Sequence, residues 1–234
     1  MAFFSMFGSS RNVILPILAS ALLASSCGSG NAQLLKSGTT EERFKAGMKA
    51  LDNEDYQEAQ QFFNAIILQD PASDYADDAQ FYLAESYYRN GDYKLAAYNY
   101  NRLRTSFPNS SFQREAFFRS GESYYRSSPT YDRDQRETTY AIDVYKAFIS
   151  IYPNDSLSTI AASRVSELQE KLAQKEYMTA DLYMKMENYK SAVMYFDRLI
   201  EDYPNTRFAK LAAARKEEAQ VRLKERLQAS STPK

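Results

Sequence analysis

The chain of 234 residues contains no histidine, no tryptophan and one cysteine. Without histidine it lacks the commonest general base and a principal zinc ligand. One cysteine closes no intrachain disulfide and builds no thiolate cluster, so no cofactor is expected. Glycine and proline occur seven times each, too few for a turn-rich β fold of this length, which favours helices. Excess charge of one sign is also missing. Twenty-nine basic residues face 30 acidic ones, a net charge of −1, so no nucleic-acid partner is expected. No Gly-rich phosphate loop, nucleophile elbow or metal motif occurs. Adjacent carboxylates such as Asp77-Asp78 and Glu217-Glu218 point about 100° apart on a helix and do not face one another. A chain with these gaps is expected not to be an enzyme. In their place stand nineteen tyrosines, a side chain suited to half-buried positions and interfaces.

Long apolar runs are absent too. The run from Val13 to Ala24, preceded by Arg11, has twelve residues, whereas a bilayer-spanning helix needs about 20. It has the length of a secretory core with small residues before a cut. Leu23-Ala24-Ser25-Ser26-Cys27 resembles a bacterial lipobox, with the usual leucine one step further from the cysteine. That resemblance implies a signal peptide over residues 1–26 and acyl chains on Cys27, a durable membrane anchor. The other reading is ordinary cleavage that leaves a free thiol. Gly28-Ser29-Gly30-Asn31-Ala32-Gln33 reads as a flexible tether over residues 27–39, and Thr40 as the N-cap that opens the folded body.

The body repeats. Ala59, Ala96, Ala141 and Ala192 each follow a polar turn, and four residues on stand Phe63, Tyr100, Tyr145 and Phe196. Seven residues after each alanine come Ile66, Leu103, Phe148 and Leu199, and twelve after it Pro71, Pro108, Pro153 and Pro204. Three before it lie Tyr56, Tyr93, Thr138 and Tyr189. A small residue, Gly47, Ala84, Gly121 or Ala180, precedes each unit's turn. Offsets of 3, 4 and 7 put these side chains on one helical stripe. Small residues on both helices let an antiparallel pair approach closely, and the proline ends the second helix. The spacing predicts an all-α array of antiparallel helix pairs. Its domain covers residues 40–234, with units near 40–75, 76–112, 113–155 and 156–206 and a capping helix near 207–228. Between units the spacing is 37, then 45, then 51 residues. The second gap carries an insertion at residues 127–135, and the third an extra helix from Ser156 to about Lys175 that runs on without a breaker.

The pattern of small residue, Tyr, Ala, aromatic and Pro resembles the tetratricopeptide repeat, which implies a right-handed superhelical array of about five units. With Cys27, the insertion Tyr131-Asp132-Arg133-Asp134-Gln135, the helix at Lys171-Leu172-Ala173-Gln174-Lys175-Glu176 and the ends Phe107-Pro108-Asn109-Ser110 and Tyr203-Pro204-Asn205-Thr206, it resembles the BamD family. These are lipoproteins of the outer-membrane β-barrel assembly machinery. The loop Asp70-Pro71-Ala72-Ser73-Asp74-Tyr75 departs from the family by lacking its aromatic-Pro-Phe-Gly character. The resemblance implies lipid anchoring at the outer membrane facing the periplasm. It implies as partners a BamA-type barrel assembly protein, other subunits of the complex and unfolded outer-membrane proteins. Two other readings share parts of the pattern: an envelope tetratricopeptide protein of the cell-division or envelope-integrity type, and a carbohydrate-capturing lipoprotein. The first usually has an N-terminal coiled coil and no lipidated cysteine; the second is typically larger and rich in tryptophan.

Residues 79–89 and 116–126 match at an offset of 37. The inward positions of these first helices would be Phe81, Glu85, Tyr88 and Arg89, and Phe118, Glu122, Tyr125 and Arg126. One reading is a groove whose aromatics take apolar side chains while arginine takes a peptide carboxylate. The other is Glu85–Arg89 and Glu122–Arg126 pairing at i,i+4, with tyrosine as packing. Tyr195, Arg198, Glu201 and Asp202 on the last second helix are candidates for docking the assembly protein. The charged run Arg215-Lys216-Glu217-Glu218 reads as a solvated face with local pairs, or as a docking edge.

Overall fold

The computed structural model describes residues 27–231; the leader expected over 1–26 lies outside them. The described residues form ten α-helices and no strand. They are α1 (Cys27–Ser37), α2 (Thr40–Asp52), α3 (Tyr56–Gln69), α4 (Ala76–Arg89), α5 (Tyr93–Ser106), α6 (Gln113–Ser127), α7 (Arg136–Ile151), α8 (Ser156–Lys185), α9 (Tyr189–Asp202) and α10 (Arg207–Ser231). None is long and apolar enough to cross a membrane. Each helix packs chiefly on its neighbours in sequence, which makes a solenoid of tetratricopeptide-type hairpins. Four hairpins are closed: α2 with α3, α4 with α5, α6 with α7, and the second half of α8 with α9. The first half of α8 lies on α7, and α10 covers α9 and part of α8. First helices also touch one another, α2 with α4 and α6 with α8, while second helices show no comparable packing, so the first helices form the inner layer.

All twelve side chains at the repeat positions Ala, aromatic and apolar are wholly buried. They lie in four successive small cores, one per hairpin. The close approach expected from the small residues is real. A Cβ added at Gly121 would lie 2.8 Å from Tyr145 Cε1, and one at Gly47 2.8 Å from Phe63 Cε1. Tyr56, Tyr93 and Tyr189 are the first residues of α3, α5 and α9. In the third unit Thr138 stands instead, because that place organises the insertion. The Gln135 amide donates to the Thr130 and Arg133 carbonyls, Thr138 donates to Gln135 Oε1, and Ser128 Oγ lies 2.6 Å from Thr138 Oγ1. From α8, Lys171 donates to Ser128 Oγ and Lys175 to the Arg133 carbonyl, which fastens the insertion to the long helix.

Two boundary expectations are corrected. Thr39, not Thr40, is the N-cap: its hydroxyl accepts from Glu42 N–H while the Glu42 carboxylate accepts from Thr39 N–H. This capping box needs glutamate three residues on, and Glu42 has that spacing only from Thr39. The segment expected to be a flexible tether is helix α1. Past the glycines, Ala32-Gln33-Leu34-Leu35-Lys36 consists of good helix formers. Arg43 Nε donates to the Leu34 carbonyl at 3.2 Å, Gln69 reaches the Leu35 carbonyl, and Asn31 bonds Glu58.

The turns inside three hairpins are one structure used three times. Asp55, Asp92 and Asn188 N–H groups each donate at 2.9 Å to the carbonyl five residues back. This is the Schellman closure, which needs a left-handed residue just before. Glu54, Gly91 and Glu187 fill that place, with φ of 63°, 85° and 55°. Only the second hairpin uses glycine, the residue that adopts this conformation at least cost. Glu54→Gly and Glu187→Gly are therefore each expected to raise stability by about 0.5–1 kcal/mol. Thermal melts of the two variants check this; a lower midpoint in both would contradict it.

Candidate binding face

The inner layer carries charge in a repeated arrangement. On α4, buried Glu85 accepts from the Tyr100 hydroxyl of α5 at 2.6 Å and from Arg89 Nε at 2.9 Å. On α6, buried Glu122 accepts from the Tyr145 hydroxyl of α7 at 2.8 Å, and Arg126 Nε lies 3.6 Å away. Burying a carboxylate in this position is unfavourable without donors around it. The tyrosines respond in turn. Burial first, then the glutamate charge, push the Tyr100 and Tyr145 hydroxyls far above the ordinary phenol pKa. The outer hairpins lack the pair. Met48 and Phe63 stand at these places in the first, Asp181 and Phe196 in the last. The hydroxyl is present only where a glutamate needs it.

A third member comes from the next first helix. Arg119, Arg164 and Arg215 lie on α6, α8 and α10, separated by 45 and 51 residues like the repeat alanines. Arg215 Nη2 bonds Asp181 at 2.7 Å, and Arg164 Nε stands 3.8 Å from Glu122. Arg119 lies within the field of Glu85. Burial opposes its charge, but Glu85, Tyr100, Glu115 and Tyr88 outweigh that and raise its pKa. Arg164 and Arg215 thus face the acid of the preceding hairpin, while Arg119 pairs with Glu115 of its own helix at 3.7 Å. Arg164 Nε is buried and makes no hydrogen bond, so that rung is the least satisfied. From sequence Tyr100 and Tyr145 stand only as repeat packing positions and Arg215 only in a charged run, while Arg119 and Arg164 carry no signal except the 45- and 51-residue offsets that align the three arginines.

The expected groove residues divide. Phe81 is buried and stacked on Phe112 at 4.2 Å, and half-buried Phe118 packs against Tyr145 and Phe148. With Glu85 and Glu122 buried as well, these four do not line an open groove. A first helix is packed on two sides, by its own second helix and by the next hairpin, so its buried stripe is wider than one hairpin requires. Tyr88, Arg89, Tyr125 and Arg126 keep surface. Tyr88 packs edge-on to Tyr93, with Arg126 bonded to its hydroxyl and Arg119 5.5 Å over its ring. Tyr125 is held by α8: its hydroxyl donates to Glu167 at 2.7 Å, and Arg164 lies 4.2 Å over its ring. Both expected glutamate–arginine pairs are present.

On α9, Tyr195 stacks on Tyr183 at 5.2 Å, Arg198 lies 4.8 Å over the Tyr195 ring and 3.9 Å from Glu176, and Glu201 and Asp202 are exposed. The four form one continuous outer surface of the last hairpin. The charged run of α10 pairs across helices as well as along its own. Arg215 reaches Asp181, Lys216 reaches Asp197 and Arg226 reaches Glu187, which docks the final helix onto the array.

A tetratricopeptide-type hairpin array of this kind belongs to a class of binding scaffolds whose inner and outer faces are set by repeat geometry. The sequence profile of the YfiO family, described as outer membrane lipoprotein, matches residues 36–234, and the chain belongs to that family. This is the family whose resemblance the repeat, insertion and long helix carry. An outer membrane protein assembly factor BamD of Vibrio cholerae is 30% identical over 79 residues. That match spans 34% of this chain and about a third, 33%, of the relative. The chain is also similar to the crystal structure of a thermophilic TPR protein of Thermus thermophilus. That likeness has a TM-score of 0.41 and 15% identity, over 78% of this chain and 100% of that one.

The repeated pair predicts a compensation. Tyr145→Phe removes a donor from buried Glu122 and is expected to cost about 1–3 kcal/mol. Adding Glu122→Met, which copies the first hairpin, should recover most of that loss in denaturant titrations; an additive double variant would contradict the pairing. The tyrosine shifts predict a pH dependence. Above about pH 10 the folded chain holds phenol protons that the unfolded chain releases. The stability they contribute is therefore intact below that pH and lost as pH rises through the raised values. Replacing both Tyr100 and Tyr145 by phenylalanine should flatten the alkaline loss in melts taken between pH 8 and 11.

Proposed function

We propose that this protein is a non-catalytic scaffold of outer-membrane protein assembly, anchored at the outer membrane by acyl chains on Cys27 and facing the periplasm. The observation that carries this reading is the family match across the whole hairpin array. The assembly role named for the Vibrio cholerae relative supports it. In this reading the last hairpin, with Tyr195, Arg198, Glu201 and Asp202, docks a BamA-type assembly protein. Its stacked tyrosines and half-exposed arginine have the aromatic and guanidinium chemistry that dominates protein interfaces. Other subunits of the complex would occupy further surface of the same array.

The inner face is the surface for unfolded outer-membrane proteins. Tyr88 with Arg89, Arg119 and Arg126 offers an aromatic ring among guanidinium groups, chemistry that takes an aromatic side chain and a carboxylate together. Tyr125 is held more firmly, so Tyr88 is the more available of the two.

Affinity capture from detergent-solubilised envelopes with the tagged full chain should recover a large outer-membrane β-barrel protein carrying a periplasmic domain; its absence would overturn the reading. Tyr88→Ala should weaken binding of a peptide copying a barrel protein's C-terminus by about tenfold, with an unchanged melt. Equal affinity with an intact fold would remove the inner face from the proposal.

A further inference from the structure

Eight residues after the repeat alanine, three units carry isoleucine, Ile67, Ile149 and Ile200, and the second carries Arg104. Ile67 is buried, and Ile149 and Ile200 pack half-buried against their cores. The chain therefore solves the packing at this place three times with an aliphatic side chain. Arg104 occupies it with a guanidinium 3.3 Å from the centroid of the Phe117 ring. Burial lowers its pKa, opposed only by the Tyr152 phenol. Its one side-chain hydrogen bond is long, Nη1 to Asn101 Oδ1 at 3.4 Å, and no carboxylate among the described residues forms an ion pair with it.

This sets it apart from the arginines of α4 and α6 around it. Arg114, which shares the field of Tyr152, is bonded to Asp155 at 2.7 Å. Arg89, Arg119 and Arg126 all face buried glutamates. The backbone that carries Arg104 is fixed, because the Gln113 amide donates to the Arg104 and Phe107 carbonyls and ties the end of α5 to α6. A cation in the last turn of α5 is favoured by the helix dipole, but an exposed side chain would serve that purpose as well. Half-burial on an aromatic ring without an acid is what remains to be accounted for. A planar guanidinium backed by a ring presents its outer N–H groups as a fork, the geometry that matches a carboxylate.

We infer that Arg104, seated on Phe117 beside Tyr152, is a docking cation for a carboxylate side chain of a protein partner. The ring shields one face of the guanidinium from water, and the missing counter-charge comes from outside the chain. The site lies at the seam of the second and third hairpins and does not depend on which complex the protein serves.

The test uses the full chain with ¹⁵N-labelled arginine, and follows the side-chain Nε–H signals while the peptide acetyl-Glu-Phe-Glu-amide is added. The Arg104 signal, assigned by its loss in Arg104→Ile, should shift and saturate in the millimolar range, while those of Arg89 and Arg215, already paired, should stay. Arg104→Ile should melt at the wild-type temperature or above it, as three other units carry isoleucine there. Methyl phosphate, the probe for a lipid headgroup, should shift the signal less. No shift at Arg104, equal shifts at every exposed arginine, or a stronger response to methyl phosphate would each overturn the proposal. So would a melt several degrees lower in Arg104→Ile, which would make the arginine a packing element.

Discussion

Each hairpin depends on one contact, a small residue of the first helix against a wholly buried aromatic ring of the second. At Gly121 and Gly47 there is no room for even a methyl group without displacing the ring. Ala84 and Ala180 hold the same place with nothing larger than Cβ. The ring fixes the separation of the two helices, and in three of the four hairpins a Schellman turn at the same register fixes where the chain reverses. Close packing of this kind tolerates little change of volume, so the units stay alike where the helices meet and differ elsewhere.

Between hairpins, electrostatics takes over. Glu122 of one first helix, the Tyr145 hydroxyl of its second helix and Arg164 of the next first helix lie together at the third hairpin's inner junction, and at the second Glu85 bonds Tyr100 with Arg119 in its field. A buried carboxylate without such partners would be strongly unfavourable, so the set acts as a check on which hairpin follows which. The last junction uses a shorter acid, Asp181, and a direct bond to Arg215, and there the array closes.

The hairpins could be read from sequence because their determinants are local: the Ala, aromatic, apolar and Pro steps fall within twelve residues, and the first three are buried while the prolines stay exposed. The BamD family resemblance rested on the insertion and the long helix, which are also contiguous. The face was harder. Phe81 and Phe118 looked inward on a single helix, but Phe112 at the start of the next hairpin packs over Phe81, and Tyr145 and Phe148 of its own second helix take up Phe118, contacts beyond the reach of single-helix periodicity. The arginines that complete the rungs come from the next unit, across gaps of 45 and 51 residues, so no local pattern marks them. Arg104 shows the converse. It stands out only once the four units are aligned and its ring partner Phe117, thirteen residues away, is seen.

Helix α8 gives the array a mechanical property. At 30 residues it is about 45 Å long, and it belongs to two units at once. Asp155, bonded to Arg114, fixes its start, and Lys171 and Lys175 bind its middle to the insertion. Its far end carries the last hairpin and α10. Ordinary joints in a solenoid are turns, which bend. This one is a continuous shaft, so a load applied to the C-terminal hairpin is delivered as torque to the third, with no slack between them. Anything gripping α9 and α10 therefore turns the surface around Tyr125 as one rigid piece with it.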